Sequence, residues 1–500
     1  MLARIKMALK DSFIYSLGNI STKIIGVVLL PLYTEKLTVA EYGVLGTVEV
    51  TIQVMVAAFS FSLYQALNRW YWDKQYRDKQ TSIFYTTFMT LIFFSVLMMF
   101  LFIPFSDSFS RNLLDSNEYA YLFTLLLISA AFQIVSRGVL SLMRLQRKPL
   151  RFTTTNIIKL TVTLALTIYF IVGLNRGIEG IFEAQIIGFV IFILVNIRFI
   201  IINSKPVFEW SIFKEMVKFS YPLALSSAST ILLNVADRYS VRYIEGMESM
   251  GLYSAGFKIA NVLKIFIINS LNSALMPLKF QMMDRPNNKR FYSKIMTYSA
   301  FGFIMVMLFV SLFSKELLQI LAQDKGYWSA FYFVPILCFG QLFELLRFNA
   351  NIGLVIQKKT KIISGVLFTV SVLGIGLNVL LVSYWGSYGA AIAILLSQII
   401  FFTLIYQKAQ KYYRIPYELI NIGKMVLVSA MIVFVVFFWV NSMMIIPRMI
   451  LKFALILLFP FFLFFINFYE PIEIFHIRKA WHMIRNPKNW SKMLKKIKIQ

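Results

Sequence analysis

The chain has 500 residues, 59% of them hydrophobic and 15% charged, with a mean hydropathy of +0.71. That is more apolar surface than a water-soluble core can bury, which excludes a soluble globular protein and makes a bilayer the expected solvent. A formal net charge of +27 would point to nucleic acid in a soluble protein. Here the excess lies in short loops and a tail, where membrane topology accounts for it, and no nucleic-acid partner is expected. One cysteine, Cys338, sits in an apolar run, and both histidines, His476 and His482, fall in the C-terminal tail. Disulfides, a histidine-based catalytic centre in the membrane body, a metal site and a cofactor are all unexpected.

Spanning a bilayer by helix takes about 20 mostly apolar residues. About fourteen such segments follow in order, beginning near Ser12, Gly43, Ile83, Tyr119, Thr153, Ile178, Met216, Leu252, Ser293, Trp328, Ile362, Tyr388, Ile422 and Pro447. The runs are continuous rather than alternating, so helices are expected and not a barrel. The first run is too long for a signal peptide and is expected to remain in the protein. Lysine and arginine concentrate in every second loop, as in Arg69/Lys74/Arg77/Lys79, Arg144/Arg147/Lys148/Arg151 and Lys358/Lys359/Lys361. The intervening loops are poor in them. Both termini are therefore expected on the cytoplasmic side, which an even number of spans requires. Residues 471–500 form a basic tail with Trp481 and Trp490, suited to an anionic leaflet or simply solvated.

The chain starts over near its middle. An offset of about 208 places Gly43 on Gly251 and Val44 on Leu252. Gln146-Arg147-Lys148-Pro149 pairs in the same way with Gln357-Lys358-Lys359-Thr360. Gly177-Ile178-Glu179-Gly180 pairs with Gly386-Ser387-Tyr388-Gly389, and Ala184 and Gly188 with Ala393 and Ser397. Six spans precede the restart, so the two halves share an orientation and are related by a pseudo-two-fold along the membrane normal. The expected fold is all-α: two pseudo-symmetric six-helix bundles, 1–210 and 211–415, around a central cavity. Two further helices in 416–470 and the tail 471–500 follow.

Ser16-Leu17-Gly18-Asn19, Leu30-Pro31-Leu32-Tyr33-Thr34 and Glu41-Tyr42-Gly43 resemble the opening of bacterial polysaccharide-biosynthesis flippases. Ala236-Asp237-Arg238-Tyr239 with Met250-Gly251-Leu252-Tyr253 resembles the start of their second half, and Gly386 to Ala393 their twelfth-helix entry. The similarity runs over nearly the whole chain and identifies it with the multidrug/oligosaccharidyl-lipid/polysaccharide (MOP) exporter superfamily. It implies a transporter rather than an enzyme, located in the bacterial cytoplasmic membrane. The implied activity is moving an undecaprenyl-diphosphate-linked oligosaccharide to the outer leaflet by alternating access, for O-antigen, capsule or exopolysaccharide. Lipid II flippases and multidrug antiporters share the fold and are the alternatives. The implied partners are the lipid-linked oligosaccharide, membrane lipids, a coupling H+ or Na+, and by family analogy a polysaccharide polymerase.

Ionisable groups inside spans are costly, and each is a functional hypothesis. Lys23, Lys264 and Arg347 are expected to line the cavity and contact the anionic diphosphate. Lys159, Lys258 and Arg238 are secondary candidates; for Lys159 and Lys258 snorkelling to the interface is the main reading. Glu49, Glu183, Glu344 and Asp237 are candidates for ion coupling, because buried carboxylates shift their proton affinity readily. Glu344 could equally neutralise Arg347 as a structural pair. Asp237 and Arg238 read first as a helix-end feature. A glycan polymerase would need a long outer loop with catalytic residues, a channel would need a filter, and an ATPase a Gly-rich phosphate loop; none of these appears. Gly365, Gly374 and Gly376 read as packing positions or hinges.

Overall fold

The computed structural model describes Gly26 and residues 28–283, 285–471 and 473–475. Among the described residues the chain is helical, with no strand. The helices are α1 (Leu30–Lys36), α2 (Val39–Phe59), α3 (Leu63–Trp70), α4 (Gln80–Phe102), α5 (Ser106–Leu114), α6 (Ala120–Leu145), α7 (Pro149–Ile168), α8 (Gly177–Ile202) and α9 (Trp210–Ile244). They continue as α10 (Met247–Leu263), α11 (Asn269–Gln281), α12 (Asn288–Leu312), α13 (Ser314–Leu321), α14 (Phe333–Ala350), α15 (Ile352–Ile356), α16 (Thr360–Tyr412), α17 (Leu419–Phe438) and α18 (Ile445–Phe465). Twelve helical stretches among the described residues are long and apolar enough to cross a bilayer. One of them, α16, runs for 53 residues and leaves helical geometry at Gly386 (φ 56°, ψ −139°), which divides it into the expected eleventh and twelfth segments. The segment expected from Ser12 lies largely outside the described residues, as does most of the basic tail.

Local chemistry sets the helix ends. Thr38 caps α2 through a reciprocal box: its hydroxyl accepts the Glu41 amide at 3.2 Å while the Glu41 carboxylate accepts the Thr38 amide at 2.8 Å. The paired sequence anchors have matching backbones. Arg147 and Lys358 both turn left-handed, at φ 52° and 54°, as do Gly177 and Gly386, both at 56°. The residues after the first pair close the same cap, Lys148 N to Met143 O and Lys359 N to Leu354 O, each at 2.9 Å. Helix packing repeats as well. A methyl on Gly188 of α8 would overlap the Thr163 hydroxyl of α7, and one on Gly374 would press on Ser397 within the second bundle. In one half the glycine is on the later helix, in the other on the earlier. Gly365 and Gly376 face open space, so close packing explains Gly374 and not these two.

Helix α9 belongs to the second repeat by sequence but packs on both bundles. Near its start, Glu215 accepts from Trp70 Nε1 at 3.3 Å and from Tyr76 OH at 3.2 Å, and Glu209 pairs with Lys79 at 2.8 Å. Farther along, the Ser229 carbonyl accepts from Ser371 of α16 at 2.8 Å.

Candidate functional site

Helices α2 and α10 cross at the boundary between the bundles, and small residues permit the approach. A methyl on Gly43 would overlap the Met247 carbonyl, and one on Gly251 would overlap the Val39 carbonyl. The two contacts exchange under the 208-residue offset, so the pseudo-two-fold runs through this crossing. One turn deeper, a methyl on Gly46 would overlap the Ser254 hydroxyl, again a pair 208 apart. Around the crossing, Tyr327 OH donates to the Leu37 and Thr38 carbonyls at 3.0 and 2.9 Å, and Gln323 N donates to Thr34 Oγ1 at 3.2 Å. The buried Arg242 reaches Asp115 at 2.6 Å and donates to the Leu113 carbonyl at 3.0 Å. These bonds seal one end of the boundary, the end opposite the basic loops.

Below the seal the boundary becomes charged. Lys258 Nζ lies 3.1 Å from Glu49 Oε1, an ion pair joining the two halves near the middle of α2 and α10. Lys258 also sits 4.8 Å from the Tyr42 ring and 5.7 Å from that of Tyr33. The snorkelling expected of Lys258 is therefore incorrect: a carboxylate within reach inside the protein holds the ammonium better than a stretch to the interface.

One turn and a half farther on, α10 widens into a π-turn over Lys264–Ile268. At the equivalent depth, helix α2 breaks at Phe61 and Ser62, which take φ of 44° and 52°. Both helices thus leave regular geometry where they flank the interior, a placement that membrane proteins tolerate beside a cavity or buried in protein. From this turn Lys264 Nζ meets Glu344 Oε2 of α14 at 2.9 Å, and Arg347 lies 3.7 Å from the other oxygen of that carboxylate. The Arg347 guanidinium lies over the rings of Phe348 and Phe401, at 4.5 and 4.2 Å. Two cations share one carboxylate, so the cluster keeps a positive charge.

Lys264 and Glu344 border a cavity of about 40 Å³, room for a few water molecules. It is also lined by Asn234, Asn261, Gln341, Asn378 and Gln398. The oxygens Gln341 Oε1, Asn378 Oδ1, Ser397 Oγ and Gln398 Oε1 are buried there with no hydrogen-bond partner among the described residues.

The other expected residues are dispersed. Lys159 lies 4.5 Å above the Phe189 ring and 5.7 Å above that of Phe192, inside the first bundle and away from the Lys264 cluster. Glu183 is held by Arg176 and by Tyr121 OH, at the entry of α8 rather than mid-membrane. Asp237 and Arg238 are not at a helix end, because α9 continues to Ile244. Asp237 is wholly buried and accepts from Tyr253 OH at 2.8 Å, while Arg238 covers the Phe257 ring at 4.4 Å. Lys23 lies outside the described residues.

Three charged features were not anticipated. Arg137 of α6 rests 5.9 Å from the Tyr64 ring, and buried Lys279 donates to Asn349 Oδ1 at 2.9 Å. Arg448 and Lys452 of α18 close on Glu316 of α13. The first two stand close enough to basic loops to read as loop charges in the sequence. The third joins residues more than 130 positions apart, which leaves no local signal.

The described residues form a polytopic all-helical body of two related halves joined at the α2–α10 crossing, with the small polar cavity beside Lys264 and Glu344 lined by residues of the second half. The chain belongs to the polysaccharide biosynthesis protein family: the family's sequence profile matches residues 8–283, and the MatE profile matches 222–380. Among curated relatives, Lsg locus putative protein 1 of Haemophilus influenzae is 22% identical over 59% of this chain and 71% of its own. Among solved structures, lipid II flippase MurJ in an inward closed conformation superposes with a TM-score of 0.69 at 15% identity, covering 90% of this chain and 98% of that one. A multidrug resistance MATE family transporter in an inward-facing conformation gives 0.65 at 15% identity, covering 81% and 97%. At these identities the structural likeness concerns the fold.

Proposed function

We propose that the protein is a flippase that moves an undecaprenyl-diphosphate-linked oligosaccharide from the inner to the outer leaflet by alternating access, in the synthesis of a surface polysaccharide. The observation that carries this reading is the positive interior: Lys264 and Arg347 share the single carboxylate of Glu344 where the α10 π-turn borders the polar cavity. A diphosphate is a compact anion, and cations in a low-dielectric cavity are what bind one. Membership of a polysaccharide biosynthesis family favours a glycolipid cargo.

In this reading the basic loops face the cytoplasm, with both termini. Bundles 1–210 and 211–415 are the rocking units, and the sealed end faces outward. Lys264, Arg347 and Lys23 receive the diphosphate; Lys258, now paired with Glu49, enters when that pair parts. Glu344 and Glu49 are the carboxylates placed to couple a proton or sodium ion, and the four unpartnered oxygens beside Glu344 suit water or a small hard cation. Glu183 and Asp237, tied to Arg176 and Tyr253, are positioned less well for that task.

The MatE match over 222–380 keeps a cationic-drug antiporter as the second reading. The shared carboxylate disfavours it, since a drug cation would meet Lys264 and Arg347 first. Deleting the gene and assigning the leaflet of each undecaprenyl-linked glycan tests the two. Cytoplasmic-side accumulation of one oligosaccharide-lipid, with loss of a surface polymer, is the expected result. Normal export with a loss of resistance to cationic compounds would replace the flippase by the antiporter.

A further inference from the structure

The terminal hairpin α17–α18 is fastened to the second bundle by an ionic cluster whose charges do not balance. Lys452 is fully buried, and its Nζ donates to both oxygens of Glu316 at 2.8 Å. Arg448 Nε lies 2.7 Å from Glu316 Oε1 without the geometry of a hydrogen bond. Lys315 Nζ donates to the Asn441 carbonyl at 3.1 Å, and that same carbonyl lies 3.5 Å from Arg448 Nη1. Among the described residues Glu316 is the only carboxylate in contact with these groups. Three cations therefore face one carboxylate, leaving two positive charges uncompensated. One of the two, shared between Arg448 and Lys452, is buried, and burying it costs several kcal/mol unless an anion joins it; the other, on Lys315, is partly exposed.

The surroundings indicate which anion is at hand. The connection between α17 and α18 exposes Trp439, Met443, Met444, Ile445 and Ile446. A tryptophan beside exposed aliphatic side chains at the end of two spans marks the membrane–water boundary, the level of lipid phosphates. Lys315, in the short helix α13 outside the spans, is the partly exposed member through which a ligand would arrive. Burial first, and Arg448 alongside it second, hold the Lys315 ammonium below its ordinary proton affinity. An approaching phosphate would reverse that.

We propose that Lys315 and Arg448, braced by Lys452 and Glu316, bind the phosphate of an anionic lipid headgroup at the membrane face opposite the basic loops. The bound lipid would lock the terminal hairpin to the second bundle. The site is distinct from the central cleft and does not depend on which cargo crosses there.

The test is thermal unfolding of the purified full-length protein in a neutral detergent. Phosphatidylglycerol, phosphatidylcholine or inorganic phosphate is added at matched ionic strength. For the wild type, phosphatidylglycerol is expected to raise Tm by several degrees, saturably, and phosphatidylcholine to leave it nearly unchanged. Lys315→Gln, a change at a partly exposed residue that should still fold, is expected to lose most of the rise, whereas Lys325→Gln in a neighbouring loop keeps it. A saturable rise with inorganic phosphate that Lys315→Gln also abolishes would support the phosphate site and assign its occupant to the free anion. Equal shifts for phosphatidylglycerol and phosphatidylcholine, or a rise undiminished in Lys315→Gln, would overturn the proposal.

Discussion

Gly43 and Gly251 meet across the boundary of the two bundles, each pressed against a carbonyl one turn before the other, Met247 and Val39. The first expectation concerns this crossing. Gly43→Ala or Gly251→Ala must push α2 and α10 apart, because the obstructing atoms are backbone. Overpacking of this kind costs about 1–3 kcal/mol. Thermal unfolding should show the loss, and a reporter cysteine at Val39, in a Cys338→Ser background, should react faster with a membrane-impermeant thiol reagent. Wild-type reactivity in both alanine variants would mean that the crossing does not seal this end.

Gly365 and Gly376 offer the opposite case. Nothing lies within 4 Å of a methyl placed on either. Replacement by alanine in a helix should stabilise by about 0.4–1 kcal/mol. If these glycines act as hinges, transport will fall while Tm rises; if transport is unchanged, neither is a hinge.

The Glu49–Lys258 pair calls for a double-mutant cycle. Lys258→Met strands a carboxylate and Glu49→Gln strands an ammonium. Removing one partner of a well-buried pair costs about 3–5 kcal/mol, and less here because Glu49 is partly open to the cleft. Removing both together should cost less than the sum, with a coupling of about 0.5–3 kcal/mol. Additive losses in unfolding experiments would mean that the two side chains do not depend on one another.

For cargo handling, Lys264→Ala and Arg347→Ala are each expected to lower flipping of a lipid-linked oligosaccharide by about tenfold or more, the scale of one lost charged hydrogen bond. Glu344→Gln removes the competing anion, and should tighten cargo binding while slowing release. The measurement is leaflet assignment in proteoliposomes, with protein level checked. Cationic-dye efflux that rises in Lys264→Ala would instead indicate a drug exporter.

A pH dependence is expected at the start of α9. The hydrogen bond from Lys79, with a smaller one from Ser82, holds the Glu209 carboxyl below its ordinary range despite some opposing burial. A carboxyl with a depressed folded-state pKa stabilises above its unfolded pKa, and that contribution disappears as pH falls through the folded value. Acidification below the usual carboxylate range should therefore loosen α9 from α4, seen as increased proteolysis near Ser204–Phe208. Glu209→Gln should show the looser state already at neutral pH and lose this acid step.

The charged residues show how far a sequence can be read. Lys264, Arg347 and Glu344 were visible as charges in apolar runs, and the i, i+3 spacing of Glu344 and Arg347 put them on one face. That Lys264 would claim the same carboxylate was not visible, since the two lie 80 positions apart and meet through the rotation of α10 against α14. The polar residues that follow Asp237 and Arg238 look like a loop, so the sequence alone points to a helix end there. In the fold α9 runs two more turns and buries Asp237 against Tyr253.

The membrane class and the helical fold followed from the chain alone, because crossing a bilayer requires long apolar runs whatever their neighbours. The internal repeat is equally legible: a duplicated backbone keeps its glycines and caps within a few residues of one offset, as at Arg147 and Lys358 or Gly177 and Gly386. Only the tertiary structure decided which charge meets which. Glu49 with Lys258, Glu316 with Arg448 and Lys452, and the start of α9 on the first bundle all join distant positions. The physical reason is that an ion pair depends on helix rotation and approach to within a few ångström, quantities set by packing across the whole body and by no local pattern.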